Sequence, residues 1–92
     1  MKLSIVMPVY NEEKTVGQIL KKVCAVKLPW EKEIIVVNDG SKDKTEEKIW
    51  LFGDKIIYIK QENQGKGAAV MTGIAHATGE YVVIQDADLE YD

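Results

Sequence analysis

Four short runs of β-forming residues alternate with three helical patterns along this 92-residue chain, and that alternation narrows the folds open to it more than any other feature. The runs cover residues 3–9, 33–38, 55–60 and 81–85. They are continuous stretches of Ile, Val and Tyr more than polar alternations, the pattern of parallel strands covered on both faces. In the first helical pattern Val16, Ile19, Leu20 and Val23 recur at i, i+3, i+4 and i+7, with Lys21 and Lys22 outside. Asn11 reads as its N-cap and Leu28-Pro29-Trp30 as its stop. The second pattern runs from Ser41, a capping residue, to 51 or 52 before Gly53 halts it; its start is polar, so only its end should pack. The third covers 65–77 and is rich in small and apolar residues, among them Ala68, Ala69, Met71, Gly73 and Ile74. It predicts a buried helix lying close to a sheet.

Strand and helix alternating in this way predict a three-layer α/β fold with four mostly parallel strands and three helices. Right-handed crossovers then limit the layout. With the strand order 3-2-1-4, the first two helices cover one face and the third covers the other. The winding direction reverses between strands one and four, and open α/β sheets bind ligands at that switch point, outside the carboxyl ends of the strands.

Composition closes off several classes. The length suits one domain at most, burying about 60–65% of its unfolded surface. A net charge of −3 argues against a nucleic-acid partner. Cys24 is the only cysteine, which excludes an intrachain disulfide and a thiolate metal cluster and reads as a buried thiol on a helix. No apolar run approaches the roughly 18–20 residues that span a bilayer. The opening run is too short for a signal-peptide core and is followed by Glu12 and Glu13, so a cytoplasmic location is expected. Leu89-Glu90-Tyr91-Asp92 holds neither a capped helix nor a closing strand, which reads as a larger protein interrupted.

The fourth run delivers Asp86 and Asp88 with one residue between them. Two carboxylates so close raise each other's pKa unless a cation or donor stands between them. A divalent ion such as Mg²⁺ or Mn²⁺ prefers hard oxygen ligands and would supply that compensation. The bland alternative is a pair of loop aspartates, one of them capping a helix. The other strand ends add Pro8, Tyr10, Asn11 and Glu12; Asn38, Asp39, Gly40 and Ser41; and the segment Gln61-Glu62-Asn63-Gln64-Gly65-Lys66-Gly67 before the third helix. Each has a structural reading: Tyr10 as a core aromatic, Asp39-Gly40-Ser41 as a turn with a cap, Gly65-Lys66-Gly67 as a helix lead-in. The last is neither a Walker loop nor a dinucleotide fingerprint, whose third glycine is replaced by Val70. His76, at the end of the third helix, suits the macrodipole, and Trp30 and Trp50 read as packing residues at helix ends.

Taken together, Pro8-Val9-Tyr10-Asn11-Glu12, Val37-Asn38-Asp39-Gly40-Ser41, Asn63-Gln64-Gly65-Lys66-Gly67 and Asp86-Ala87-Asp88-Leu89 resemble the N-terminal half of family 2 glycosyltransferases. The likeness is greatest to the branch of the dolichol-phosphate mannose and polyprenyl-phosphate sugar synthases, and it covers essentially the whole chain. It implies a Rossmann-like GT-A half domain over residues 1–92, binding a UDP- or GDP-sugar with Mn²⁺ or Mg²⁺ for inverting transfer to an acceptor such as a polyprenyl or dolichyl phosphate. On matching positions it implies a nucleoside pocket of Pro8, Tyr10 and Glu12. Val37 and Asp39 would read the base, Val37 through its backbone. Lys66 would contact base or diphosphate. Asp86 and the Ala87 backbone would lie near ribose and sugar diphosphate. Asp86 and Asp88 would serve the metal, with Glu90 at a position where related synthases carry glutamine.

The resemblance places the catalytic base, where one is needed, and any membrane contact beyond residue 92. A non-catalytic nucleotide-binding module is the first alternative. A nucleotidyltransferase is the second, and it is disfavoured because the loop after the first run has neither glycine nor a basic residue. The fourth strand would be left without an outer partner, which predicts self-association.

Overall fold

A computed structural model describes residues 1–88 of the chain. Strand β1 (Lys2–Val9) pairs in parallel with β2 (Glu31–Asp39) on one side and with β4 (Tyr81–Ile84) on the other. Strand β3 (Ile57–Gln61) lies outside β2, also parallel, so the order is β3-β2-β1-β4, as the crossover argument requires.

Alternation along the strands divides the core. Met7, Val9, Ile34 and Val36 pack against Val16, Ile19 and Leu20 of α1 (Val16–Ala25) and Ile49 of α2 (Thr45–Trp50). Val6, Ile35 and Val37 turn to the opposite face and meet Ala69 of α3 (Lys66–His76). Two helices on one face and one on the other is the expected layering. Helix α3 is less buried than its composition suggests: Ala69 and Gly73 are buried, whereas Met71 is 65% exposed. Its small residues serve a close approach along one narrow stripe. A Cβ at Gly73 would stand 2.3 Å from Val6 Cγ1, so only glycine lets the helix lie this near β1.

Several expected boundaries move for identifiable reasons. Helix α1 begins at Val16, not just after Asn11, because the Glu12 carbonyl first accepts the N–H groups of Thr15 and Val16 in a turn. It ends at Ala25, before Leu28-Pro29-Trp30, where the Lys32 ammonium donates to the carbonyls of Val23 and Cys24 at 2.9 and 3.1 Å and to that of Val26. Helix α2 starts four residues after Ser41, and a 3₁₀ turn over Gly53–Lys55 removes Lys55 from the third strand. Trp30 and Trp50 are exposed, not packed, and Cys24 is half-buried, not buried. Strand β4 is not covered on both faces: its four residues are each 41–56% exposed, and among the described residues its only strand neighbour is β1. Among the described residues no helix is long and apolar enough to cross a membrane.

The amino end of the sheet is held by one carboxylate. Glu33 accepts from Ser4 Oγ (2.6 Å), Thr78 N (2.7 Å) and Thr78 Oγ1 (3.0 Å) and pairs with Lys2 at 3.4 Å. The strands β1 and β2 and the turn entering β4 are thus tied together. Burial raises the pKa of Glu33, but the hydrogen bonds from Ser4, Thr78 and Lys2 outweigh it and hold the group at about 2.

Candidate functional site

A cleft of about 220 Å³ opens at the carboxyl end of the sheet, at the β1/β4 switch point. Pro8, Val9, Tyr10 and Glu12 come from the end of β1 and its loop; Asp39 from the end of β2; Asn63, Gly65, Lys66 and Ala69 from the entry to α3; Asp86, Ala87 and Asp88 from beyond β4. Of the residues expected at the site, Pro8, Tyr10, Glu12, Asp39, Lys66, Asp86, Ala87 and Asp88 therefore meet around one space. Val37 does not. Its side chain is buried under α3 and its backbone is flanked by β1 and β3 on both sides, so it supports the cleft without reaching it. Glu90 lies outside the described residues.

The Asp-x-Asp spacing has a local cause. Ala87 is 4% exposed and inserts into the α1-side core, while Asp86 and Asp88 on either side are exposed. With Ala87 anchored in the core, the carboxylates on either side of it are left outside, and both line the cleft. The anchor is fixed further by Thr15 Oγ1, which stands 2.8 Å from the Ala87 carbonyl and 2.9 Å from Glu12 Oε2.

Residues read as helix caps link loops instead. Asn11, at φ +51°, donates its N–H to Ser41 Oγ (2.9 Å), and its side-chain carbonyl accepts from Lys42 N (2.8 Å). Asparagine tolerates that left-handed backbone better than most residues. Thr45 Oγ1 accepts from Glu12 N at 2.8 Å, while Asp43 accepts from Thr45 and from Glu13 N. The β1–α1 and β2–α2 loops are thereby tied to each other. Behind them buried Asn38 donates to the Tyr58 hydroxyl (3.0 Å), which donates to Glu46 (2.6 Å); burial, then Glu46, pushes Tyr58 up to about 12.

Asp39 is occupied differently from the expected base contact. Its residue is 3% exposed, and its carboxylate accepts from Gln61 Nε2 (2.9 Å), Gln64 N (2.9 Å), Gly65 N (2.9 Å) and, at 3.4 Å, Asn63 Nδ2. Burial alone would raise its pKa, yet the bonds from Gln61, Gln64 and Gly65 hold it below the usual carboxylate range. It binds the β3–α3 loop and stands at the N-terminus of α3, where a negative charge is favoured. Gly40 allows the approach: at φ +72°, a Cβ there would lie 2.6 Å from Asn63 N.

Across the cleft Lys66 Nζ meets Asp86 Oδ1 at 2.5 Å, and that bond holds the ammonium pKa above its usual value. Among the described residues the cleft is lined by four carboxylates, Glu12, Asp39, Asp86 and Asp88, against this one cation. The described residues include no cluster of three or more His, Cys, Asp or Glu placed to hold a metal by themselves. Two neighbouring carboxylates beside an open space do fit an ion that takes one or two protein oxygens and completes its shell with water and phosphate oxygens, the habit of Mg²⁺. Mn²⁺ shares the preference for such hard donors.

Comparison with known proteins accords with this geometry. The profile of Glycosyl transferase family 2 matches residues 4–92. The dolichyl-phosphate β-glucosyltransferase ALG5A of Trichomonas vaginalis is 42% identical over 97 residues, covering 94% of this chain and 30% of its own length. The crystal structure of Staphylococcus aureus TarS 1–349 in complex with UDP superposes with a TM-score of 0.86 at 30% identity, over 96% of this chain and 28% of that one. The mannosyltransferase PcManGT of Pyrobaculum calidifontis, in complex with GDP-Man and Mn²⁺, gives 0.81 at 30% identity, over 94% and 27%. The chain thus spans less than a third of the length of these relatives. With a profile match over nearly every residue, a relative above 40% identity and the β3-β2-β1-β4 GT-A sheet in place, this chain belongs to glycosyl transferase family 2.

Proposed function

We propose that these residues form the donor half of an inverting glycosyltransferase site, binding a nucleotide-diphosphate sugar together with Mn²⁺ or Mg²⁺. The observation that carries the reading is the charge of the cleft. Among the described residues four carboxylates and one lysine surround it, and a nucleotide diphosphate adds further negative charge, so a cation would offset the repulsion. Asp88, exposed and without a hydrogen-bond partner among the described residues, is the principal ligand proposed for it, with Asp86 beside it once Lys66 turns to the diphosphate. When bound, such an ion offsets charge that develops on the departing diphosphate. Tyr10, 43% exposed and on the cleft wall, offers an aromatic face to the nucleoside beside Pro8 and Glu12.

The acceptor is a finer proposal. The T. vaginalis relative carries dolichyl phosphate in its name, which supports a polyprenyl or dolichyl phosphate acceptor for the whole protein. An anionic phosphate of that kind can attack without a general base. For the 92 residues alone the proposed activity is donor binding.

Calorimetry tests the reading directly. The chain should bind UDP or GDP in the presence of Mn²⁺, and Asp88→Asn should keep the fold while losing the metal-dependent part of that affinity. Unchanged affinity in the variant removes Asp88 from the metal site, and no binding by the unaltered chain with either nucleotide removes the proposal.

A further inference from the structure

Gln61 and Thr72 take no part in lining the cleft, yet they form a continuous link to it. Thr72, on α3, donates its one hydroxyl proton to Gln61 Oε1 at 2.7 Å, with the Ala68 carbonyl, farther off at 3.0 Å, competing for the same proton. Gln61, the last residue of β3, donates Nε2 to Asp39 Oδ1 at 2.9 Å. The amide cannot turn over. An ionised carboxylate only accepts, so Nε2 must face Asp39, and the remaining oxygen must then find a donor, which Thr72 supplies. Asp39 in turn holds the N–H groups of Gln64 and Gly65, and Lys66 follows directly.

We propose that Gln61 and Thr72 are positioning residues for the nucleotide-sugar site, setting through Asp39 where the Gln64-Gly65-Lys66 segment stands. The proposal rests on the donor-site reading above. Two consequences make the link functional. It places Lys66 opposite Asp86, and it keeps the Asp39 charge turned to neutral donors instead of to an anionic ligand. Without the Thr72 hydroxyl the Gln61 oxygen loses its partner, the amide loses its fixed orientation, and one donor leaves Asp39. The segment then loosens on the side where the diphosphate would sit.

Thr72→Val keeps the shape and removes the hydroxyl; Thr72→Ser restores it; Gln61→Met removes both amide contacts at similar length. Two readouts on the 92-residue chain decide. Amide hydrogen exchange, which needs no ligand, should accelerate about tenfold at Gln64 and Gly65 in Thr72→Val and Gln61→Met, and return in Thr72→Ser, with the β1 and β2 amides unchanged. Calorimetry with Mn²⁺ and UDP or GDP should show affinity falling about tenfold in the first two variants and restored in the serine variant, at a temperature where all are folded. Accelerated exchange with unchanged affinity means a structural staple and overturns the proposal. Unchanged exchange in Thr72→Val overturns it as well, even if Gln61→Met does not fold. Accelerated exchange in a chain that binds neither nucleotide instead locates the failure in the donor-site reading.

Discussion

Strand β2 carries a carboxylate near each end on the same face, half-buried Glu33 toward the amino end and buried Asp39 at the carboxyl end, and the two differ in what surrounds them. Both accept several hydrogen bonds, and both titrate below the usual range for that reason. Glu33 has a cation among its partners, Lys2, and sits in a closed junction of β1, β2 and the turn before β4. Asp39 has only neutral donors, from the end of β3 and the loop into α3, and it faces a cleft that already holds three other carboxylates. One device thus does two jobs. Neutralised by lysine in a closed junction, a carboxylate hub contributes stability. Held by neutral donors beside an open cleft, it keeps its charge and shapes what the cleft accepts.

Removing each hub separates the two roles. Asp39→Ala should have the larger effect, leaving the Gln64 and Gly65 N–H groups and the Gln61 amide without their shared acceptor. A loss of about 3 kcal/mol is expected from hydrogen bonds to a charged group. Nucleotide affinity should fall with it, since the loop that carries Lys66 is released. Denaturant melts and calorimetry on one sample measure both; stability lost with affinity intact would make Asp39 a second Glu33.

Glu33→Gln should cost less, about 2 kcal/mol, and leave nucleotide affinity within twofold. Its pH dependence follows from the lowered pKa. A carboxylate held at about 2 in the fold and near 4.5 in the unfolded chain contributes stability fully above pH 4.5 and loses it as pH falls toward 2. Melts between pH 5 and 2 should therefore steepen for the unaltered chain and flatten in Glu33→Gln. Parallel curves would mean that another carboxylate carries the acid sensitivity.

The smallest effect concerns the sheet's edges. Strand β3 ends in Lys60 and Gln61, whereas β4 is Tyr-Val-Val-Ile with every side chain exposed and no charge to deter pairing. Sedimentation should show mass rising with concentration, and Val83→Lys should return the chain to a monomer. A monomer at every concentration would show that this edge is guarded by something other than charge.

Much of this was open to inspection in the residues. Parallel strands in the order 3-2-1-4 followed from apolar runs and crossover handedness, both properties of short stretches of chain. The cleft's location followed from the same topology. The helix starts did not, because Asn11, Ser41 and Thr45 are capping types whose hydroxyl and amide groups found partners thirty or more residues away. No periodicity reports such a partner. Val37 stands outside the cleft lining for a related reason: β-run membership does not say how far along the strand the cleft begins.

What the sequence determined by itself is the layering and the inventory at the strand ends, since hydrophobic period and chirality act locally and need no knowledge of the rest of the chain. Only the tertiary structure decided which polar groups face the cleft and which are consumed in holding it. Asp39 is the clearest instance: an aspartate in a turn has the same chemistry whether it awaits a ligand or binds a loop. The difference lies in the donors that folding brings to it, from Gln61, Gln64 and Gly65, 22 to 26 residues along the chain. A hydrogen bond reaches about 3 Å and is set by where backbones come to rest, so it follows from packing and not from spacing along the sequence.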